Sequence, residues 1–425
     1  MALAATFACF AVYWVGYRFY GGYLADRVWS LRPHAVTPAH AKRDDIDYLP
    51  TNRFVLFGHH YASITGLSPM LGPAIAVIWG WLPAMLWVVA GALVVGCVHD
   101  FSALVLSIRA RGLSVGALTE GLIGVRAKSM FHLIIFFAVG LAMGVFVSVI
   151  STLFTPAFYP QAVVPSFFLM AAALVVGFLV FRRRASAPKT AAVAFLATLA
   201  VVVLAGGGDL LTFEWHSRDG WGGVLLVYSF LASVLPVWVL LQPRDFINSL
   251  LLYLGMALMY LGFFVLRPEF VSPAVVVAPE GAPPIFPFVF VVIACGAVSG
   301  FHGLVSSGTT AKQIDRETDA RMIGYGGMIG ESLLGLMAVL ACTAGFSSPG
   351  SWGEHYSSWG SANTLGGKIS VFIEGGARFV GSLGLPPGPA TALIAVIVVS
   401  FALTTLDSAT RLLRYNIAEI ASGLG

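Results

Sequence analysis

The sequence contains 425 residues, of which 58% are hydrophobic and only 10% are charged, and its mean hydropathy is +0.87. Soluble proteins carry roughly 25% charged residues, so this composition excludes a soluble globular protein and predicts an all-α polytopic membrane protein. The net charge of +4 is small and scattered, which gives no basic surface of the kind that binds nucleic acid.

Apolar runs long enough to cross roughly 30 Å of hydrocarbon recur along the chain and predict eleven membrane spans. We place them at residues 2–24, 54–79, 81–108, 129–153, 163–181, 188–206, 221–241, 246–266, 286–306, 322–346 and 389–413. We expect one integral membrane domain over residues 1–425, surrounded by the lipid bilayer and without a soluble domain. The longest loop, 347–388, is expected to cover the outer face.

The basic residues predict the orientation of these spans. With the N-terminus outside, the inner loops hold 19 of the 24 Lys and Arg residues, and the outer loops hold four. Cytoplasmic loops carry such an excess in membrane proteins. The first apolar run has no basic segment before it, so we interpret it as a span rather than a signal peptide.

Two predicted spans are interrupted by glycine and proline. The first carries FGHHYASITGLSPMLGP at 57–73, and the second leads into ACGAVSGFHGLVSSGTT at 294–310. Broken backbone is tolerated in a bilayer only where protein or a water-filled cavity satisfies it, and paired broken helices indicate the midplane site of a secondary transporter. The candidate substrate-binding residues are His59, His60, Gly66, Ser68, Gly300, His302, Ser306, Ser307, Thr309 and Thr310.

The hydroxyl groups at 306–310 are open to two interpretations. If a helix restarts there, they and the N–H groups around Gly308 form a site for an anion or a carboxylate, since helix N-termini favour negative charge. Alternatively, they cap a helix end at the inner surface.

Ionisable residues inside spans are candidates for function, because burying a charge in hydrocarbon is costly. Asp100, the adjacent His99 and Glu331 are the candidates for proton coupling; Asp100 is equally suited to accept hydrogen bonds from a broken helix. Asp407 lies one helical turn before Arg411, so we predict a structural ion pair between them.

The segment 235–249 and the histidines have simpler interpretations. The segment LPVWVLLQPRDFINS at 235–249 predicts a tight cytoplasmic turn. The histidines at 59, 60, 99 and 302 could gather a metal, but HxxxH and HExxH spacings are absent. We therefore expect no metal, no cofactor and no enzymatic activity. The four cysteines lie in apolar spans, which disfavours a disulfide framework.

Five blocks of the sequence resemble the carbon starvation protein family (CstA-type membrane transporters). They are DYLPTNRFVLFGHHYASITGLSPMLGP at 47–73, VHDF at 98–101, LPVWVLLQPRDF at 235–246, IACGAVSGFHGLVSSGTTAKQIDRETDARMIGYGGMIGES at 293–332 and TTLDSATRLLRYNIAEI at 404–420. The resemblance implies a bacterial inner-membrane uptake protein of carbon limitation, with peptides or pyruvate as substrates and proton coupling. It also implies a fold that resembles the amino acid–polyamine–organocation (LeuT-like) transporters. Many members of the family are longer, so this chain is expected to be a short form or a fragment lacking C-terminal helices.

We therefore expect a secondary active importer of small carboxylated nutrients that works by alternating access. Two alternatives remain open at this point. One is sodium coupling through oxygens such as those of Thr65, Ser68, Ser306 and Ser307; the other is a membrane nutrient sensor that binds the ligand without moving it. The sequence carries no signature of an oligomeric state.

Overall fold

The computed structural model describes residues 1–208, 213–236 and 238–422. Val237, which belongs to the segment 235–249, and residues 209–212 of the preceding predicted loop lie outside the described residues. In the part of the chain that is described, the structure is helical, and the only pairing of extended backbone is an isolated bridge between Thr51 and Ile314. The expected all-α class is confirmed.

The helices of five residues or more are numbered in chain order. They are α1 Ala2–Val28, α2 Arg53–Ile64, α3 Ser68–Trp79, α4 Trp81–Arg109, α5 Val115–Leu122, α6 Val125–Leu153, α7 Pro160–Arg183, α8 Ala187–Gly206, α9 Arg218–Val234, α10 Leu241–Leu266, α11 Ile285–Val292, α12 at 300–313, α13 Glu317–Ala344, α14 Pro349–His355, α15 Leu365–Gly381 and α16 Pro387–Ser422. Shorter helices occur at Pro38–Ala41, Ala294–Ala297 and Trp359–Ala362.

Eight of the described helices are long and apolar enough to cross a membrane, or nine if the bent pair α2 and α3 forms one span. This establishes a multi-pass membrane protein. Two of the eleven predicted spans take another form: α9 has 17 residues, and the region 286–306 is built from short helical pieces. The count of eleven stays a prediction.

Both predicted interruptions are present. Helix α2 ends at Ile64 and α3 begins at Ser68, with a bend of 47° across the three residues between them. In the second segment, Val298 and Ser299 adopt extended backbone angles before α12 begins at Gly300. Each break exposes backbone donors and acceptors at a helix end.

The centre of the bundle is formed by α13 and α16. Most residues of both helices are buried. Glycines on α13 let its neighbours approach closely: a Cβ on Gly324 would lie 2.9 Å from the backbone of Phe101, and a Cβ on Gly327 would lie 3.0 Å from the His60 ring. This packing brings α4 and α2 against the face of α13 that carries Glu331.

The prediction that residues 347–388 form one long loop is wrong. It contains α14, a short helix and α15, and α15 packs against α10, α13 and α16. Its buried face includes Phe372, Ile373, Phe379 and Val380. The helix is amphipathic and contains several glycines, so its mean hydropathy is too low to predict a span.

Candidate functional site

The site is centred on His302, which α12 places in the interior just after the second break. Its Nδ1 lies 2.8 Å from Oδ2 of Asp100 on α4, and its Nε2 lies 3.0 Å from Oε2 of Glu331 on α13. All three side chains are fully buried. His99 places its Nδ1 2.8 Å from the other oxygen of Asp100, and its side chain is 39% exposed. A chain of groups therefore runs from a half-exposed imidazole to a buried carboxyl.

The hydrogen positions in this chain follow from the donors available. An ionised carboxylate only accepts hydrogen bonds, so an ionised Asp100 draws the hydrogen of His302 onto Nδ1. The contact between His302 Nε2 and Glu331 then has room for one proton, on either the imidazole or the carboxyl. Apart from this contact, neither oxygen of Glu331 has a hydrogen-bond partner among the described residues. A buried polar group without a partner requires a physical explanation.

Cys295, His302 and Glu331 are also the residues best placed to hold a metal. Their thiol, ring nitrogen and carboxylate oxygen all lie within 4.8 Å of one another, and these donor types suit a transition metal. The Asp100 carboxylate behind His302 is the kind of outer partner that orients metal-bound imidazoles. The expectation of no metal stays a prediction.

The first broken segment reaches the same region through His60. Its Nδ1 lies 2.8 Å from the Thr310 hydroxyl on α12, while its Nε2 is buried without a hydrogen-bond partner among the described groups. The Ser306 hydroxyl on α12 is likewise buried and unpaired in the described chain. His60 and His302 thus belong to one buried region between the two breaks.

His59 faces a second polar cluster. Its Nδ1 lies 2.7 Å from Oδ2 of Asp245, and its Nε2 lies 3.4 Å from the Gln313 amide. Gln242 donates to Gln313 Oε1 at 3.1 Å and to the Thr51 hydroxyl at 3.0 Å. This cluster ties the start of α2 to the start of α10 and the end of α12.

The predicted ion pair between Asp407 and Arg411 is wrong. Asp407 pairs with Arg244 of α10 and accepts a hydrogen bond from the Tyr228 hydroxyl at 2.7 Å. Arg411 instead donates to the Leu235 carbonyl and lies 3.3 Å from Asp47. A buried arginine from another helix competes better for Asp407 because helix packing brings its guanidinium to the carboxylate.

The remaining predicted residues divide between the site and its surroundings. Gly66 is buried beside Thr405, and Ser68 is half-buried at the start of α3. Gly300 is exposed, so it lines the break without joining the buried clusters. Ser307 and Thr309 donate to carbonyls of their own helix, at 2.8 Å and 3.0 Å.

The helix restarts at Gly300, not within 306–310. Residues Ser306–Thr310 form a π-helical turn inside α12, so the hydroxyls there do not surround a helix N-terminus. Wider turns of this kind are frequent at functional sites. The structure therefore supports neither of the two interpretations of these hydroxyls, the anion site at a helix N-terminus and the cap of a helix end at the inner surface.

Four functional candidates were not predicted from the sequence: Gln242, Arg244, Asp245 and Gln313. The prolines at 236 and 243 suggested a turn, and a turn at 238–240 does lie between α9 and α10, but α10 begins at Leu241 and accommodates Pro243 in its first turn. All four side chains are buried. The available signal was two adjacent charges, Arg244 and Asp245, within a strongly apolar region.

Comparisons with known proteins place this chain in a family. The family model of the carbon starvation protein CstA matches residues 1–348. The pyruvate/proton symporter BtsT of Escherichia coli (strain K12) is 37% identical over 360 residues, covering 80% of this chain and 49% of that protein. The peptide transporter CstA of the same strain is 36% identical over 350 residues, with 80% and 50% covered. The peptide transporter CstA of Bacillus subtilis (strain 168) is 34% identical over 355 residues, with 81% and 58% covered.

The fold and the site define a multi-pass helical membrane protein with two broken helices around buried histidines and carboxylates. The chain belongs to the carbon starvation protein CstA family. It spans about half the length of the curated relatives it matches. Those relatives are named as transporters and not as enzymes. No solved structure matches the chain significantly.

Proposed function

We propose that this chain forms the substrate-handling and proton-handling part of a secondary active importer of small carboxylated nutrients, peptides or pyruvate. The names of its relatives support this substrate class, and the two breaks support alternating access around a central site. On this proposal the protein works in carbon limitation in the bacterial cytoplasmic membrane, with its N-terminus outside.

One observation carries the coupling part of the proposal: His302 lies between Asp100 and Glu331, and the oxygens of Glu331 have no other polar partner among the described residues. A proton bound there completes the contact between Nε2 and the carboxyl. Loss of that proton leaves two buried carboxylates facing one imidazole. The second arrangement is electrostatically less favourable, so proton binding can bias the packing of α12 against α13.

The half-exposed His99 supplies the proton entry in this proposal. Among His99, Asp100, His302 and Glu331, only His99 has a substantially exposed side chain, and its imidazole contacts Asp100 directly. A proton arriving at His99 passes by way of Asp100 to His302 and Glu331. Substrate would bind beside this chain, at His59, His60 and the backbone of the first break, where the N-terminus of α3 favours a carboxylate.

Sodium coupling is the second candidate, and a separate observation favours it. The hydroxyls of Thr65 and Ser306 are buried without hydrogen-bond partners among the described residues. The residues just before them, Ile64 and Val305, belong to one packed cluster. Hydroxyl and carbonyl oxygens at broken helices suit Na⁺, so the two coupling ions are tested side by side.

The finer features of the fold belong to the same proposal. Eleven spans would result if α9 and the pieces at 285–305 each complete a crossing, and the two broken segments would then correspond to the broken helices of LeuT-like transporters. The excess of Lys and Arg in the loops assigned to the inside supports the orientation.

Uptake into proteoliposomes tests the proposal. Labelled pyruvate and a labelled dipeptide are each supplied with an inward proton gradient, an inward sodium gradient or neither. We expect accumulation of one substrate class with the proton gradient alone. Accumulation driven by sodium alone would replace the coupling ion, and binding without counterflow would favour a sensor over a carrier.

A further inference from the structure

A large apolar cavity lies apart from the His302 cluster, between α2, α7, α8 and α10, and its wall shares Thr51 and Gln242 with the polar cluster at His59. Its volume is about 590 Å³, which falls within the roughly 300–1,000 Å³ typical of ligand sites. The walls include Val176, Val180, Phe181, Ala191 and Phe246. The cavity thus offers a sizeable apolar volume to a ligand from the bilayer.

The cavity is located at one face of the membrane. Helix α7 ends at Arg183, α8 begins at Ala187, α10 begins at Leu241 and α2 begins at Arg53, and residues next to each of these ends line the cavity. This is the arginine-rich face, which the positive-inside rule assigns to the cytoplasm.

Four basic residues adjoin the cavity lining in the sequence. Arg182, Arg183 and Arg184 follow the lining residue Phe181, and Lys189 follows the lining residue Pro188. All four are exposed, and in the described chain none has an acidic partner. Four cations beside an apolar cavity complement a ligand with an anionic head and an apolar tail.

We propose that this cavity binds an anionic phospholipid of the cytoplasmic leaflet. An acyl chain occupies the apolar volume, and the headgroup phosphate contacts the cations at 182–184 and Lys189. Basic pockets between helices at this face bind anionic headgroups by the same electrostatics. The transported nutrient fits the cavity poorly, because the polar side chains of Thr51 and Gln242 in its wall already hydrogen-bond to each other.

Native mass spectrometry of the delipidated full chain tests this proposal without any transport assay. Phosphatidylglycerol and phosphatidylcholine are titrated separately onto the wild-type protein and onto the variant R182Q/R183Q/R184Q. Each basic residue near the bilayer surface contributes about a fivefold change in affinity. We expect the triple variant to lose about a hundredfold in phosphatidylglycerol affinity, with phosphatidylcholine binding unchanged. The matched control is R27Q/R111Q/R126Q, which removes three exposed arginines elsewhere and should keep the preference.

A second variant tests the cavity itself. Val180→Trp places an indole in the apolar volume while leaving every cation in place, and we expect it to weaken the binding of both lipids. Thermal melting of each variant shows whether it is folded. Equal affinity of the wild-type protein for the two lipids, or an unchanged preference in the folded triple variant, would overturn the proposal. Displacement of phosphatidylglycerol by pyruvate or a dipeptide would assign the cavity to the substrate instead.

Discussion

The imidazole Nε2 of His302 lies 3.0 Å from Oε2 of Glu331, and both side chains are fully buried. The two residues belong to different helices, α12 and α13, so the distance between them depends on how those helices pack. Asp100 approaches the opposite side of the same ring at 2.8 Å. Under the proposed function, a proton bound in this cluster would change the charge at the interface between these two helices and so couple proton binding to their packing.

The first prediction concerns Asp100. Asp100→Asn removes the negative charge that favours a positively charged His302 but keeps a side chain of the same shape. We expect gradient-driven uptake to be slower, because an amide cannot relay the proton from His99, and its pH dependence to move to more acidic values, with substrate counterflow at a fixed pH retained. The measurement is initial uptake rate against pH. An unchanged profile, with uptake reduced equally at every pH, would indicate a purely structural role for Asp100.

The second prediction concerns the buried pair of Arg244 and Asp407. Removing one partner of a buried pair typically costs about 3–5 kcal/mol, so Arg244→Met should lower the free energy of unfolding by that amount. The double variant R244M/D407L should recover most of the loss, because it leaves no unpaired charge.

Unfolding in mixed micelles measures the stability of these variants. The control is Lys128→Met, which breaks a more exposed pair with Glu120 and should cost about 0–1 kcal/mol. Equal losses for the Arg244 and Lys128 variants would contradict the buried network.

The third prediction tests the packing of α15 into the bundle. A Cβ on Gly262 of α10 would overlap the backbone carbonyl of Phe379 on α15. Gly262→Ala should therefore destabilise the protein by about 1–3 kcal/mol. Gly140→Ala on α6 meets no described atom within 4 Å and should be neutral or stabilising by up to about 1 kcal/mol. Matching melting temperatures for the two variants would indicate that residues 365–381 form a loop.

The fourth prediction treats His59 and Asp245 as one unit. Since their side chains lie 2.7 Å apart and are buried, His59→Gln and Asp245→Asn should raise the KM for substrate by similar factors. The double variant should then be little worse than either single one, with an interaction energy of about 0.5–3 kcal/mol. Strictly additive effects on KM would separate the two residues functionally.

The fifth prediction concerns the loop before α2, outside the spans. Burial of the Asp44 carboxyl would raise its pKa, but three backbone N–H groups, those of Ile46, Asp47 and Tyr48, donate to it, and the net pKa lies below the usual value. The ionised Asp44 carboxylate therefore stabilises the folded loop at pH values above the ordinary carboxyl pKa. This stabilisation is lost as the pH falls through the lower pKa that Asp44 has in the folded protein.

Hydrogen exchange at residues 46–48 measures this effect. We expect Asp44→Ala to speed exchange roughly tenfold at neutral pH, as expected for local opening of the loop. Arg43→Gln, which removes only an exposed contact, should leave it unchanged. Exchange that is insensitive to Asp44→Ala would mean that other contacts order the loop.

Several parts of this architecture could be predicted from the sequence. The breaks near Gly66 and before Gly300 were predictable because glycine and proline in an apolar run leave few alternatives. Asp100 and Glu331 were predictable as candidates because charge inside a span is costly. The contact between His302 and Asp100, 202 residues apart, was not predictable, because no local pattern encodes which helices meet.

Other parts were hidden by competing local signals. The prolines at 236 and 243 indicated one turn, although α10 begins at Leu241, between them. The helical turn from Asp407 to Arg411 indicated a local ion pair, although tertiary packing supplies a different partner for each. In α15, the glycines lower the mean hydropathy, so the sequence did not predict this helix, although packing against its neighbours stabilises it.

Proton movement that depends on substrate tests the central claim most directly. Liposomes with an entrapped pH-sensitive dye receive pyruvate or a dipeptide from outside, and the interior pH is followed. We predict that the wild-type protein and Glu280→Gln, an exposed control, acidify the interior. Glu331→Gln should acidify the interior about 5- to 150-fold more slowly while keeping counterflow of the same substrate. Acidification by Glu331→Gln at the wild-type rate would contradict proton coupling through the His302 cluster.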